Sequence, residues 1–220
     1  NLTSVVKKFQ PHVIVNAAAY TAVDKAQTEQ AIALQVNAQS VGVLAELAQS
    51  VNAVLVHYST DYVFDGAGDK PWAENDPTNA LSVYGQSKWL GECAVRQHCR
   101  KHLILRTSWV YGDGGNFIRT ILRLAKERET LKVIADQYGV PTSATWLAEV
   151  SLALVLDGHQ QLKPFPSGIY HAVPLGETTW HALACYAVQV AIEAGAGLKL
   201  RPEAIAAIPA AEYPLPAPRP

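Results

Sequence analysis

Short runs of Val, Ile and Leu, each a strand long and each ending in small or polar residues, alternate along this chain with segments of helical period. The first is "HVIVNAAAY", with Asn16 and three alanines closing it, and the next is "AVLVHYST". Between them, over about residues 28–50, apolar side chains recur at Ala31, Leu34, Val41, Leu44, Leu47 and Ala48, the spacing of one helix face. "HLILRTSWVYG" supplies a further strand, and "NFIRTILRLAKERE" a helix with Phe117, Ile118, Ile121, Leu122 and Leu124 near one side. Strands without polar alternation are buried on both faces, and their alternation with helices predicts a parallel sheet covered on both sides.

Beyond about residue 130 the rhythm loosens. "LKVIADQYGVPTSATWLAEVSLALVLDG", then "GIYHAV", then a helix over about 178–194 read as a smaller lobe beside the sheet. The expected division is a Rossmann-type, doubly wound domain over 1–130 and a smaller, mainly substrate-binding lobe over 131–220. Residues 65–82 are dense in Gly, Pro, Asp and Asn and read as a long surface loop. "GDGGN" lacks the third glycine of a dinucleotide loop, Phe117 standing in its place, and reads as a turn before a helix. The run "EYPLPAPRP" fits either a solvated polyproline linker or a loop that closes over a ligand.

Composition narrows the function classes. At 49% hydrophobic residues the chain can furnish a sizeable core. A net charge of −1 with scattered Lys and Arg gives no basic stripe, so nucleic acid is not an expected partner. No apolar run approaches a membrane span and no signal peptide opens the chain, so a soluble protein is expected. The three cysteines, Cys93, Cys99 and Cys185, lack paired spacing, which points to the cytoplasm. Cys93, His98, Cys99 and His102 lack the close pairs of a zinc grip, and no metal site is expected there.

In open parallel sheets, ligands bind beyond the carboxyl ends of the strands. Three candidate segments meet that condition. In "NAAAY", the small Ala18 and Ala19 permit close approach of a flat ring or pyrophosphate, or else serve tight loop packing. In "STDY", Thr60 could hydrogen-bond a carbonyl oxygen and Asp61 could hold a polar substrate, or the segment is an ordinary turn. In "RTSWVYG", Trp109 either stacks on a sugar or base or packs internally.

"SVYGQSKWLGE" sets Tyr84 and Lys88 four residues apart, on one helix face. With nine Tyr and ten Lys, random placement supplies such a spacing about 0.4 times, so its meaning depends on its neighbours. A free phenol is a weak acid near neutrality; a nearby ammonium lowers its pKa, and the same ammonium can hydrogen-bond ribose hydroxyls. Thr60, at the preceding strand end, turns the pair into a candidate acid site.

"NAAAYTAVDKA", "VHYSTDYVFDG", "VYGQSKWLGE", "RTSWVYG", "NFIRTILRLAKERE", "DQYGVPTSA" and "GIYHAV...GETTWH", in this order and spacing, resemble the dTDP-4-dehydrorhamnose reductase family of extended short-chain dehydrogenase/reductases. The resemblance implies a domain binding NADPH or NADH, a lobe binding a dTDP-sugar, and synthesis of dTDP-L-rhamnose for bacterial cell-surface polysaccharide. It makes Tyr84 the proton donor to the C4 carbonyl oxygen. Lys88 would tune Tyr84 and hold the cofactor ribose, and Thr60 would orient the substrate oxygen. Asp61 and Trp109 would contact the sugar, and Ala18, Ala19, Tyr20 and Thr21 would line the cofactor. Magnesium is linked to dimers in that family, so a homodimer is an expectation; Trp146 follows "PTSA" where a carboxylate could have served, and no metal site is assigned.

The family's opening strand and Gly-rich phosphate loop would precede Asn1. The chain, which contains no Met, is therefore expected to be a piece of a longer protein and weak or inactive alone. A nucleotide-sugar 4,6-dehydratase or 4-epimerase shares the fold, but a dehydratase wants an Asp-Glu pair after the Thr, and here Tyr62 follows Asp61. A non-catalytic relative, similar to the regulatory subunit of methionine adenosyltransferase, is the alternative from another class.

Overall fold

A computed structural model describes residues 2–220, which fall into two compact units. The first takes in the described residues up to Thr107, Ala148–Ala172 and Leu215–Pro220; the second takes in Ser108–Leu147 and Val173–Pro214. The chain thus passes between the units repeatedly and does not divide once near residue 130.

The first unit holds a parallel sheet in the order Val13–Asn16, Val54–Thr60, His102–Thr107, Gly168–His171. The strand Val54–Thr60 lies inside the sheet, and six of its seven residues are buried, as its unbroken apolar sequence requires. The helical stretches Gln30–Ser50 and Val83–His98 pack with the strands around a core of Val41, Ala45, Ala48, Leu55, Val95 and Ile104. The fourth strand corrects an expectation: "GIYHAV" belongs to this sheet, beside His102–Thr107, and not to the smaller lobe. Its residues are half-buried rather than buried, so its short apolar run lacks the strong signature of the inner strands.

The helical stretch Gln30–Ser50 is 21 residues long and apolar enough to cross a membrane by length and composition, contrary to the sequence expectation. Its packing makes it a core helix: Val41, Ala45 and Ala48 are buried in the first unit, and Asn37 is wholly buried with its side chain fully engaged. The helix widens into a π-turn over Gln35–Gln39, a feature that periodicity did not signal. Gly91, in the helix Val83–His98, faces this turn so closely that a Cβ would collide with the Asn37 carbonyl.

In the second unit, the helices Phe117–Glu127 and Trp180–Glu193 pack together and on the parallel pair Leu131–Ile134 and Ile205–Ile208. Ile121, Leu131, Val133, Ala184, Val188 and Leu200 form its core. The expected single strand "HLILRTSWVYG" is broken: it stops at Thr107, and Val110–Tyr111 pairs separately with Thr142–Ser143. Trp109 causes the break, adopting φ 46°, a left-handed conformation unfavourable for so bulky a residue. "GDGGN" is a turn as expected, with Asn116 capping the next helix by accepting from the Arg119 amide at 3.0 Å.

Candidate active site

The helix Val83–His98 begins under tight control. Ser82 caps it, accepting from the Gly85 amide at 3.1 Å, and Gln27 Oε1 accepts from the Val83 amide at 2.8 Å. Tyr84 in its first turn and Lys88 one turn later are thereby fixed against the end of Val54–Thr60. The Thr60 side chain stands beside the Tyr84 phenol. Its hydroxyl donates to Asp61 Oδ1 at 3.0 Å and accepts from the Tyr62 amide at 3.2 Å. "STDY" is therefore both a turn and a partner of Tyr84. The Tyr62 ring meets Tyr84 edge to face, with centroids 5.3 Å apart.

The electrostatics differ from the simple reading of the Tyr84 and Lys88 spacing. Lys88 is 3% exposed and its Nζ donates to the Tyr58 carbonyl at 2.7 Å. Burial lowers the Lys88 ammonium to about 8 from 10.5, opposed by the Glu92 charge. Burial raises the Tyr84 phenol well above its usual range, against the opposing pull of the Thr60 side chain, with Asp61 and Tyr62 adding to the rise. The expected lowering of Tyr84 by Lys88 is thus corrected: desolvation outweighs a cation whose proton is engaged by a carbonyl. Burial also lifts Asp61 to about 6, opposed by the Thr60 hydrogen bond, and Tyr62 to about 12.

These shifts make a stability prediction. In the unfolded chain Lys88 holds its proton up to about 10.5, in the folded chain only to about 8, so the folded state binds fewer protons in between. The cost of burying it is fully present below about pH 8 and fades as pH rises to about 10.5. Against a Lys88→Met variant, the native protein should gain up to about 3 kcal/mol of relative stability over that window. Urea unfolding of both proteins at several pH values measures it; a flat difference would contradict the burial of the ammonium.

The loop after Val13–Asn16 is held by residues that sequence reasoning did not single out. Asn37 accepts from the Tyr20 amide at 2.8 Å, and its amide donates to the Tyr20 carbonyl at 3.0 Å and to the Ser87 hydroxyl at 2.9 Å. Ser87 in turn donates to the Tyr84 carbonyl at 2.7 Å. The π-turn thus ties the loop to the Tyr84 helix. Asn16 accepts from the Ala18 amide at 3.3 Å and meets His57 Nδ1 at 3.0 Å. His57 is wholly buried, and burial together with the Lys88 charge keeps it neutral. With the Asn16 amide as donor, its proton belongs on Nε2. The signal for these residues was available: a polar side chain in an otherwise apolar strand or helix stripe requires a partner.

Ala18 and Thr21 are exposed, and Ala19 and Tyr20 are half-buried. The Tyr20 hydroxyl donates to the Glu29 carboxylate. Trp109 belongs to the second unit, where its ring stacks on Trp180, centroids 3.5 Å apart, over the space that Gly139 leaves open. It packs, and it also lines a cavity of about 110 Å³ with Asn116, Phe117 and Trp180. The first unit has a larger cleft, about 440 Å³, lined by Glu74, Trp89, Arg96 and Arg106, but Thr60, Tyr84 and Lys88 are not in its wall.

The model of the RmlD substrate binding domain matches residues 1–220. A dTDP-4-dehydrorhamnose reductase of Shigella flexneri is 51% identical over 216 residues, covering 98% of this chain and 71% of that protein. The chain belongs to the RmlD family of dTDP-4-dehydrorhamnose reductases. Among solved RmlD-family structures, a dTDP-4-dehydrorhamnose reductase from Clostridium acetobutylicum ATCC 824 superposes with TM-score 0.87 at 36% identity, covering 100% of this chain and 73% of that one. The enzyme of the same name from Bacillus anthracis, solved in complex with NADP, gives TM-score 0.87 at 35% identity with the same coverage. The RmlD-family relationship extends over both units described above.

Proposed function

We propose that this protein reduces the C4 keto group of dTDP-4-dehydro-L-rhamnose to give dTDP-L-rhamnose, with NADPH or NADH as reductant. The reading is carried by Thr60, Tyr84 and Lys88 gathered at the end of Val54–Thr60 in a chain 51% identical to a dTDP-4-dehydrorhamnose reductase.

The residues present fit a nicotinamide nucleotide. Ala18 and Ala19 keep side-chain bulk off the loop beyond the first strand, Asn37 holds that loop rigid, and Lys88 supplies a buried donor against the neighbouring strand Val54–Thr60. Ala18, Ala19, Tyr20, Thr21, Tyr84 and Lys88 would hold the cofactor. When bound, NAD(P)H supplies the hydride for C4. Tyr84 gives its proton to the carbonyl oxygen as that oxygen gains charge, and the strongly raised pKa keeps the phenol protonated until then. Thr60, beside the phenol, orients the oxygen toward it. Asp61 contacts the sugar. Lys88 holds the ribose; its lowered pKa makes it a reservoir able to reprotonate Tyr84 near neutral pH.

The first unit acts as the cofactor-binding domain and the second as the substrate lobe. The product feeds cell-surface polysaccharide synthesis. The three free thiols support a reducing, cytoplasmic setting, and the family resemblance supports a homodimer.

A 4,6-dehydratase or 4-epimerase returns its cofactor unchanged within each cycle, so stoichiometry separates the readings. The enzyme expressed from its complete gene should consume one NAD(P)H per keto-sugar reduced, followed at 340 nm. Turnover of the sugar without net loss of NAD(P)H would replace reduction by a redox-neutral reaction. No turnover of any such sugar, with capture of a partner enzyme, would favour the regulatory subunit.

A further inference from the structure

The proline-rich run "EYPLPAPRP" is docked on the first unit and is not a free linker. Ala217 is 1% exposed, and its amide donates to Asp24 Oδ1 at 3.1 Å. Arg219 grips the same carboxylate with both ends of its fork, Nη1 to Oδ1 at 2.6 Å and Nη2 to Oδ2 at 2.8 Å, while Nη1 also donates to the Ala217 carbonyl at 2.6 Å. Pro220 lies against Gly66, where φ is +71° and a Cβ would run into the Pro220 backbone. The segment is fastened at three successive points.

What it is fastened to matters. Asp24 lies in the short helix Val23–Ala26, just past the loop that Asn37 holds. The Arg219 guanidinium also stands beside the Tyr62 side chain, close enough for its charge to act on that phenol. Tyr62, in turn, is the ring that Tyr84 meets edge to face. The guanidinium is therefore bonded to one distant piece of chain, at Asp24, and lies beside another, at Tyr62, whose ring meets that of Tyr84. An ion pair with side chains 17% and 37% exposed is partly screened by water, so its consequence is better sought in geometry than in stability. A planar, bidentate fork fixes direction as well as distance.

We propose that Arg219 is a positioning residue for the proton donor: paired with Asp24, it fixes Tyr62 and so the ring against which Tyr84 stands. The proposal rests on the reductase reading for its catalytic consequence, and on geometry alone for its structural one. Proton transfer is steep in distance, and small displacements of a donor cost large factors in rate.

The test is a double-mutant cycle in the enzyme from the complete gene, with Arg219→Ala and Tyr62→Ala alone and together. Arg219→Ala should lower kcat about tenfold with KM for NAD(P)H within about twofold, and should add less than about twofold once Tyr62 is already Ala. Arg219→Lys should recover part of the loss, and Asp24→Asn should reproduce it. Equal losses in both backgrounds, or a change confined to KM, would overturn the proposal. A second readout is independent of turnover. With ring-labelled tyrosine, the Tyr84 NMR signal, assigned through Tyr84→Phe, should shift in Arg219→Ala and in Asp24→Asn. An unmoved Tyr84 signal in variants that remain folded by circular dichroism would also overturn it. If the native enzyme fails to reduce the keto-sugar, the reductase reading falls, and the NMR signal still decides the clamp.

Discussion

Replacing Tyr84 by Phe should lower kcat for keto-sugar reduction by about 10²–10⁴-fold, the usual contribution of a positioned general acid. The substitution removes the phenol oxygen and keeps the ring, so the edge-to-face contact with Tyr62 survives. Cofactor affinity should stay within about threefold, because the loop geometry rests on Asn37 and Ser87, which the change does not touch. Steady-state kinetics and a fluorescence titration with NAD(P)H measure the two quantities. A loss below tenfold would move the proton elsewhere, and the neighbouring acid is Asp61, lifted to about 6 by burial. The pH dependence distinguishes them. An Asp61 donor would be spent as pH rises through about 6, whereas Tyr84, whose pKa is raised above its ordinary value, stays protonated across the neutral range.

Removal of Glu92 should be the most destabilising single change near this site. Its carboxylate receives Arg106 Nε at 2.9 Å and Nη2 at 2.7 Å, and the two side chains are 2% and 4% exposed. Arg106 also donates to the Glu74 carbonyl at 3.2 Å and lies over the Phe64 ring at 5.0 Å. Glu92→Ala leaves a buried guanidinium without its counter-charge, a change that costs about 3–5 kcal/mol. Against a total of about 5–15 kcal/mol for a typical domain, that is a large fraction. Urea unfolding should show a lower midpoint with the slope unchanged. A cost below about 1 kcal/mol would mean that water replaces the carboxylate, contrary to its burial.

The inner strands were legible because burial on both faces leaves an unbroken apolar run, as in "AVLVHYST". Gly168–His171 was not, because its half-buried residues carry Gly, Tyr and His that suit many settings; only its hydrogen bonds to His102–Thr107 assign it to the sheet. The Tyr84 and Lys88 pairing was legible from helical spacing, and Thr60 from its position at a strand end. The direction of the Tyr84 shift was not, since spacing reports neighbours along a helix and says nothing of how many atoms surround the phenol. Asn37 escaped notice because a π-turn shifts the helix phase by one residue and brings a polar side chain onto a face read as apolar. Trp109 looked like strand sequence; its positive φ depends on the stack with Trp180, a residue 71 positions later.

The central claim is that hydride reaches C4 of the sugar while Tyr84 protonates its oxygen. NAD(P)H carrying deuterium at the transferable position of the nicotinamide, incubated with the enzyme and the keto-sugar, tests this most directly. The account predicts one deuterium at C4 of the dTDP-L-rhamnose formed for each NAD(P)H consumed, with both reduced together in Tyr84→Phe. Sugar converted without deuterium at C4, or deuterium retained in the cofactor after turnover, would contradict it.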